Sequence, residues 1–360
     1  MLADLEELVV CESYSADHAA VARSARVVAD QGGRLLGARP ETLVVDGVTH
    51  VRWTFGTPRV LLLGHHDTVW PIGSLATHPW SVERGVARGP GVFDMKAGLV
   101  LLFHALAALP SLDGVCVLVT GDEEVGSDTS RPLIEELARR CAATLVLEPS
   151  APGGALKTGR KGLSHYDLTV HGRAAHAGLE PEKGVNAATE LAHQILALSR
   201  IADTVTAQAG PGTTVTPTLA SAGTTTNTVP ARADLSVDVR VPTAAAQQAV
   251  DRAIRALHPH HPDARLSLAG GPNRPPLDPE ASRRLFARAE ETALRLGLDP
   301  LRQAAVGGGS DGNFTAGVGC PTLDGLGAVG DGAHADHEHV LTATLPDRAR
   351  LLAHLVGALQ

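Results

Sequence analysis

Leu61–Trp70 reads LLLGHHDTVW: a run of apolar residues that stops abruptly at two histidines and an aspartate. With Val60 in front, VLLLG is unbroken by polar side chains, which predicts a strand buried on both faces and ending at a polar tip. The same grammar recurs. VCVLVT (115–120) runs into GDEEVGS, and TLVLE (144–148) ends on Glu148. Between these strands lie helical patterns, AGLVLLFHALAAL (97–109), stopped by Pro110, and SRPLIEELARRC (130–141), with Ser130 placed to cap it. Apolar strands alternating with helices predict an α/β fold with a central mixed, mostly parallel sheet covered on both faces. TLVVDGVTHVRW, with Asp46-Gly47 as its turn, predicts a hairpin leading into that sheet.

Near residue 160 the pattern changes. HYDLTV (165–170) alternates polar and apolar, a helix follows in GVNAATELAHQILALSR, then strands near 213–221 and 233–241, a helix at 243–257 and a strand near 264–269. Strand-helix-strand-strand-helix-strand is the order of a ferredoxin-like α+β domain. The expected organisation is therefore 1–160 with 270–360 as one domain and 161–269 as an insertion, with GGPNRPPLDPE (270–280) as the return linker. At 360 residues the chain exceeds a typical single core, which agrees with two domains.

Composition narrows the class. Apolar residues make up 44% and charged residues 19%, and the formal net charge is -8 with no basic run, which argues against nucleic acid or an anionic membrane as partner. The four cysteines (Cys11, Cys116, Cys141, Cys320) form no Cys-x-x-Cys pair, so neither a disulfide framework nor a thiolate zinc site is expected. MLADLEELVV carries acid where a secretory signal carries base, and the apolar runs are too short to span a bilayer. A cytoplasmic enzyme is the expectation.

The chemistry gathers at strand ends. In an open parallel sheet the carboxyl ends of the strands line one edge, and ligands bind there. His65 and Asp67, then Asp122, Glu123 and Glu124, then Glu148, follow three successive strands. Asp94, in the Gly-rich GPGVFDMKAG before a helix, is within reach of the same edge, and GDGAHADHEHV adds His334, His337 and His339. Imidazole and carboxylate without thiolate suit Zn2+, Co2+ or Mn2+ in an open catalytic site. Several crowded carboxylates repel one another unless cations separate them, and this number calls for two. Taken singly, each motif has an ordinary reading: a hydrogen-bonded His-x-Asp pair, a solvated helix start at Glu123-Glu124, a strand end at Glu148-Pro149, surface histidines at 337 and 339, an exposed loop at HPHHP (258–262). Their joint placement raises the metal reading above these. A serine or cysteine hydrolase has no support, since no Gly-x-Ser-x-Gly elbow occurs.

Six motifs in order, GHHDTVW, GPGVFDMKAG, GDEEVGS, LEPS, HGRAAHAG and GAHADHEHV, resemble the dinuclear zinc aminoacylase and carboxypeptidase family over nearly the whole chain. GHxDTV, DEExGS, EPSAxG, HAGxxPExGVNA and GGGxDG look most like its bacterial glutamate carboxypeptidases. The resemblance implies the fold derived above, with the inserted domain serving dimerisation and as a lid. It implies two divalent ions per chain, zinc before cobalt or manganese. His65 and Glu148 resemble ligands of one ion, Glu124 and His334 of the other, and Asp94 the bridge, with a cis peptide at Asp94–Met95. His66 falls in the family's variable position. Asp67 resembles the carboxylate that orients the His65 ring, and Glu123 the general base. His176 resembles an imidazole donated across a homodimer to stabilise an oxyanion. Asn227 and Arg240 resemble groups that hold a substrate carboxylate, and Gly308 and Gly309 resemble backbone donors of the pocket. Arg160 and Lys161 add positive charge that would meet an acidic substrate. The implied activity is metal-assisted hydrolysis releasing a C-terminal, acidic amino acid such as glutamate from a small peptide or N-acyl amino acid. Two features, Asp94-Met95-Lys96 in place of Asp-Asp-Lys and the step from His334 to Glu338, are spaced as in the deacetylase and desuccinylase branch. They make an N-acyl-amino-acid deacylase the alternative. A non-catalytic binding protein on the same fold is disfavoured, because every expected ligand and Glu123 are present.

Overall fold

The computed structural model describes residues 1–360, the side chain of Ala209 aside. The chain divides into two compact units, Met1–Arg160 with Leu277–Gln360, and Lys161–Pro276.

The first unit is built on a six-stranded sheet. Its strands are β1 (Glu41–Val45), β2 (Val48–Thr54), β3 (Val60–His65), β4 (Val115–Thr120), β5 (Ala143–Val146) and, late in the chain, β10 (Thr322–Leu323), in the order β1-β2-β4-β3-β5-β10. β3 runs parallel to β4 and β5, and β5 parallel to β10, while the β1–β2 hairpin adds antiparallel to β4. The helices of this unit are α1 (Leu2–Val10), α2 (His18–Leu36), α3 (Ala97–Ala107), α4 (Arg131–Arg140), α7 (Pro279–Arg295), α8 (Gly312–Gly317) and α9 (Leu345–Gly357). Successive residues of a strand face opposite ways, and the core divides accordingly. Leu62 and Val60 pack with Val117, Trp53, Leu99, Phe103 and Leu352 on the side of α2, α3 and α9. Leu61 and Leu63 pack with Leu118, Ile134, Leu137 and Phe314 on the side of α4 and α8. Unbroken apolar strands are thus the signature of a sheet with helices on both faces, as their sequence predicts.

Local chemistry fixes the ends. The Asp17 carboxylate accepts from the Ala20 N–H to start α2, and Gly37, at φ 68°, stops it in the left-handed conformation that glycine adopts at low cost. Ser130 precedes α4 as expected but its hydroxyl makes no cap. Asp122 instead holds the turn that leads into the helix, its Oδ2 accepting from the Thr129 and Ser130 N–H groups at 2.8 and 3.3 Å.

The second unit holds β6 (Gly162–His171), α5 (Ala187–Ala209), β7 (Thr214–Ala222), β8 (Arg232–Val241), α6 (Ala244–Arg255) and β9 (Arg265–Arg274). Its antiparallel sheet has the order β7-β8-β6-β9, the ferredoxin-like arrangement, and Tyr166, Leu168, Leu235, Val237, Leu191 and Val250 form its core. Gly270–Arg274, expected to be linker, is strand. It continues the pairing with β6, with a register shift between Pro272 and Arg274. β9 lies at the edge of the sheet, where a proline removes no ladder bond that the sheet needs. The return of the chain accordingly lies at 276/277. There Leu277 and Arg160 exchange N–H···O=C bonds of 3.0 Å in both directions.

Candidate metal centre

The parallel register brings the first site residues together. His65, the last residue of β3, pairs with Thr120 at the end of β4, and Leu63 pairs with Val146 at the end of β5. The segments that follow, 65–67, 122–124 and 147–148, therefore leave the sheet along one edge. Asp94 comes from the loop before α3, where the Asp94–Met95 peptide is cis, and His334 from the loop after the short strand Gly330–Asp331.

Four of the expected ligands surround Asp94. His65 Nε2 lies 3.3 Å from Asp94 Oδ1 and 3.4 Å from Glu148 Oε1. His334 Nε2 lies 3.4 Å from Asp94 Oδ2 and 3.0 Å from Glu124 Oε2. Asp94 thus turns one oxygen toward each imidazole–carboxylate pair. Ligand atoms of His65, Asp94 and Glu124 lie within 4.8 Å of one another, as do those of His65, Glu123 and Glu148. His65 Nε2, Asp94 Oδ1 and Glu124 Oε1 are buried and have no hydrogen-bond partner. Unsatisfied buried polar atoms are costly, and here three of them converge. A divalent cation satisfies imidazole nitrogen and carboxylate oxygen together, so the residues fit such an ion.

Electrostatics agrees. Burial pushes Glu124 up to about 7, and the Asp94 charge adds to the shift. Burial works in the same sense on Asp94, but the imidazoles of His334 and His65 beside it outweigh it and hold that carboxyl far below its ordinary range. Hydrogen bonds to Asp94 and Glu124 carry His334 up to about 10. The cluster, in short, demands positive charge, as a cation-binding site must.

The neighbouring residues set orientation. His65 Nδ1 donates to the backbone carbonyl of Asp67 at 3.0 Å, leaving Nε2 as the lone-pair side toward Asp94 and Glu148. The Asp67 carboxylate, expected to orient this ring, is 3.5 Å from Nδ1. Its shorter bonds go elsewhere: Oδ1 accepts from Glu123 N–H at 3.2 Å, and Oδ2 from Glu124 N–H at 3.2 Å and from Ser15 Oγ at 2.8 Å. Asp67 thus orients His65 through its carbonyl and fixes the Glu123–Glu124 turn through its side chain. His66 turns away, its Nε2 3.0 Å from the Thr49 carbonyl, and burial pushes it down to about 4.

Arg160 does not reach outward toward a substrate as its charge suggested. Its side chain is 3% exposed. Nε and Nη2 fork onto Asp324 at 2.6 and 3.2 Å, and Nη2 also meets Glu148 Oε2 at 3.3 Å. Nη1 takes the Gly308 and Gly309 carbonyls at 3.1 and 2.9 Å, so those glycines turn acceptors, not donors, toward it. Two side chains had no role assigned from the sequence. One is Asp324, far along the chain from Arg160. The other is Glu338, whose buried carboxylate accepts from the N–H of Asp94. Glu338 shares the alternation of buried Val340, and that parity joins its spacing from His334 as a sequence signal.

The remaining candidates belong to the second unit. Exposed His176 accepts at Nδ1 from the N–H groups of Gly178 and Leu179, both at 3.1 Å. That fixes the neutral ring with its proton on Nε2, as a donor. The Asn227 carbonyl accepts from Ala177 N–H at 2.9 Å, so the segments that carry Asn227 and His176 lie paired side by side. Arg240, on β8, chelates the Asp238 carboxylate through Nε and Nη2 at 2.9 Å each.

Among the described residues no helix is long and apolar enough to cross a membrane. Comparison with known proteins agrees with the site. Carboxypeptidase G2 of Pseudomonas sp. (strain RS-16) is 31% identical over 374 residues, spanning 98% of this chain and 87% of its own. The succinyl-diaminopimelate desuccinylase of Granulibacter bethesdensis is 29% identical over 345 residues, 85% of this chain and 88% of its own. Among solved structures, the M20 family metallo-carboxypeptidase Sso-CP2 from Sulfolobus solfataricus superposes with a TM-score of 0.78 at 17% identity, covering 99% and 98% of the two chains. The Bacillus subtilis YXEP protein, a dinuclear metal binding peptidase, gives 0.63 at 14% identity, covering 98% and 95%. At such identities the likeness is one of fold. The pattern that defines peptidase family M20/M25/M40 runs from residue 61 to residue 358, beginning in the very strand that opens the metal centre, and the chain belongs to this family of metal-dependent hydrolases.

Proposed function

We propose that this enzyme hydrolyses the amide bond preceding a free carboxylate, releasing a C-terminal acidic amino acid such as glutamate from a small peptide or N-acyl amino acid. The observation that carries the reading is Asp94, one oxygen toward His65 and Glu148 and the other toward His334 and Glu124, with Glu123 beside them. Asp94, His65, Glu148, His334 and Glu124 would hold two divalent cations, zinc first, and such ions supply Lewis acidity that lowers the pKa of water and polarises a carbonyl. Glu123 takes a proton from the attacking water and passes it to the leaving nitrogen. Asp67, holding the Glu123 and Glu124 N–H groups, keeps that base in place. The partner subunit's His176 donates Nε2–H to the developing oxyanion, so the enzyme acts as a homodimer. Asn227 and Arg240 hold the substrate carboxylate, a role in which guanidinium excels. Four free thiols suit a cytoplasmic protein.

The likeness to carboxypeptidase G2 along nearly the full chain supports the carboxypeptidase reading. The Asp94-Met95-Lys96 motif and the likeness to the desuccinylase favour a second, an N-acyl-amino-acid deacylase. A panel of metal-reconstituted assays separates them: dipeptides and aroyl or acyl conjugates ending in glutamate against N-acetyl and N-succinyl derivatives of basic amino acids. Preference for a glutamate leaving group supports the first reading, and preference set by the acyl group supports the second. No hydrolysis of any such amide, with two ions bound per chain, refutes both.

A further inference from the structure

Glu338 is 3% exposed, and its carboxylate is fully engaged. Oε1 accepts from the N–H groups of Phe93 and Asp94, both at 2.9 Å. Oε2 accepts from Gly91 N–H at 3.0 Å and from Trp70 Nε1 at 2.7 Å. These donors come from two places. Gly91, Phe93 and Asp94 form the loop that presents Asp94, and Trp70 lies on the segment that leaves β3 through His65 and Asp67. Glu338 itself stands on a third loop, four residues after His334, with its own N–H given to the Ala335 carbonyl at 2.9 Å. The clasp has a second point: the Trp70 ring lies 4.8 Å from that of His78, and His78 Nε2 lies 3.4 Å from Asp336.

One carboxylate therefore ties together three segments that bring His65, Asp94 and His334 to the centre. We propose that Glu338 is a positioning residue that holds these segments at ligand spacing in advance of metal, so that metal affinity depends on it. The inference rests on the reading of the cluster as a metal centre. Hydrogen bonds from N–H groups to an ionised carboxylate are about twice as strong as neutral ones, and burial strengthens them further. Because Glu338 engages the backbone N–H of Asp94 and not its carboxylate, both Asp94 oxygens stay available to cations. Residues that orient ligands without touching the ion typically govern metal affinity by about 10–100-fold.

The test uses the full chain, stripped of metal with chelator and titrated with Zn2+ in competition with a chromophoric chelator at fixed pH. Glu338→Gln keeps the shape but turns an NH2 toward one pair of N–H donors. It should weaken zinc binding roughly 10–100-fold with an unchanged circular dichroism spectrum. Trp70→Phe removes a single donor and should weaken it roughly two- to tenfold. If Glu338 served only general stability, the metal-free variants would melt lower while zinc affinity stayed within twofold of the parent, and that result overturns the proposal. Should Glu338→Gln fail to fold, unchanged affinity in Trp70→Phe overturns it equally. A parent protein that binds no zinc refutes the metal-centre reading itself, a distinct outcome.

Discussion

Replacing Arg160 with methionine tests the buried framework behind the metal centre. The guanidinium makes five bonds: two to Asp324, one to Glu148 and two to the carbonyls of Gly308 and Gly309. Methionine fills much of the same space but supplies none of them. Asp324, fully buried, would keep the Ser310 hydroxyl at 2.6 Å and the Gly325 N–H but lose its countercharge. Removing one partner of a buried ion pair costs about 3–5 kcal/mol. For a unit of this size each kcal/mol lowers the melting temperature by roughly 2–4 °C, so a fall of about 6–20 °C is expected. The melt should be recorded on metal-free protein, because Glu148 is a candidate ligand and bound ion would add its own stabilisation. A companion Asp324→Asn and the double variant close a cycle, and the pair should be less damaging together than its sum by about 0.5–3 kcal/mol. If Arg160→Met melts within 2 °C of the parent, on the order of a 1 kcal/mol effect or less, and instead raises KM for acidic substrates, the guanidinium faces the substrate after all and the reasoning fails.

Glu123→Gln should keep its metal, by mass analysis, and lose about 10²–10⁴-fold in kcat, the usual share of a general base; near-normal turnover would reassign the base. The same glycine-to-alanine change should have opposite signs at two helical sites. At Gly98 the new Cβ would stand 2.1 Å from the Leu147 carbonyl oxygen, a rigid clash costing about 1–3 kcal/mol. At Gly33 it would meet nothing nearer than 3.9 Å and should stabilise by about 0.5–1 kcal/mol. Chemical denaturation reads both. In the second unit, burial pushes Glu190 up, but hydrogen bonds from His260 N–H, the Gln194 side chain and His261 N–H outweigh it, so its pKa sits below the ordinary 4.5. A carboxyl depressed on folding contributes stability above its unfolded pKa and loses it as pH falls through the folded one. The parent should therefore lose stability below about pH 4.5 more steeply than Glu190→Gln, and parallel acid limbs would contradict this.

The sequence was most legible where one physical demand dominated. VLLLG, VCVLVT and TLVLE, set between helices, read as strands buried on both faces, and their ends then deliver His65, Glu123, Glu124 and Glu148 to a common edge. Alternation in HYDLTV and the element order after it sufficed for the ferredoxin-like unit. Legibility failed where local signals and tertiary context disagree. Gly270-Gly271-Pro272 reads as a turn, yet an edge strand tolerates it. The β-branched stretch after Arg200 weakens the helical signal, yet α5 continues to Ala209 on the strength of packing. Arg160, between glycine and lysine, reads as an exposed charge because nothing local announces Asp324, and charged partners distant in sequence leave no periodicity.

The paired bonds between Arg160 and Leu277 carry a consequence for how this chain can vary. The polypeptide departs from the first unit and re-enters it at the two facing positions of one β-bridge, so everything in between is a detour with abutting ends. Bridging those ends by a tight turn requires almost no additional loop closure, and no strand register in the six-stranded sheet depends on what the detour contains. Residues 161–276 are in this sense exchangeable: they can be lengthened, replaced or excised as one block while the cluster around Asp94 keeps the scaffold that builds it.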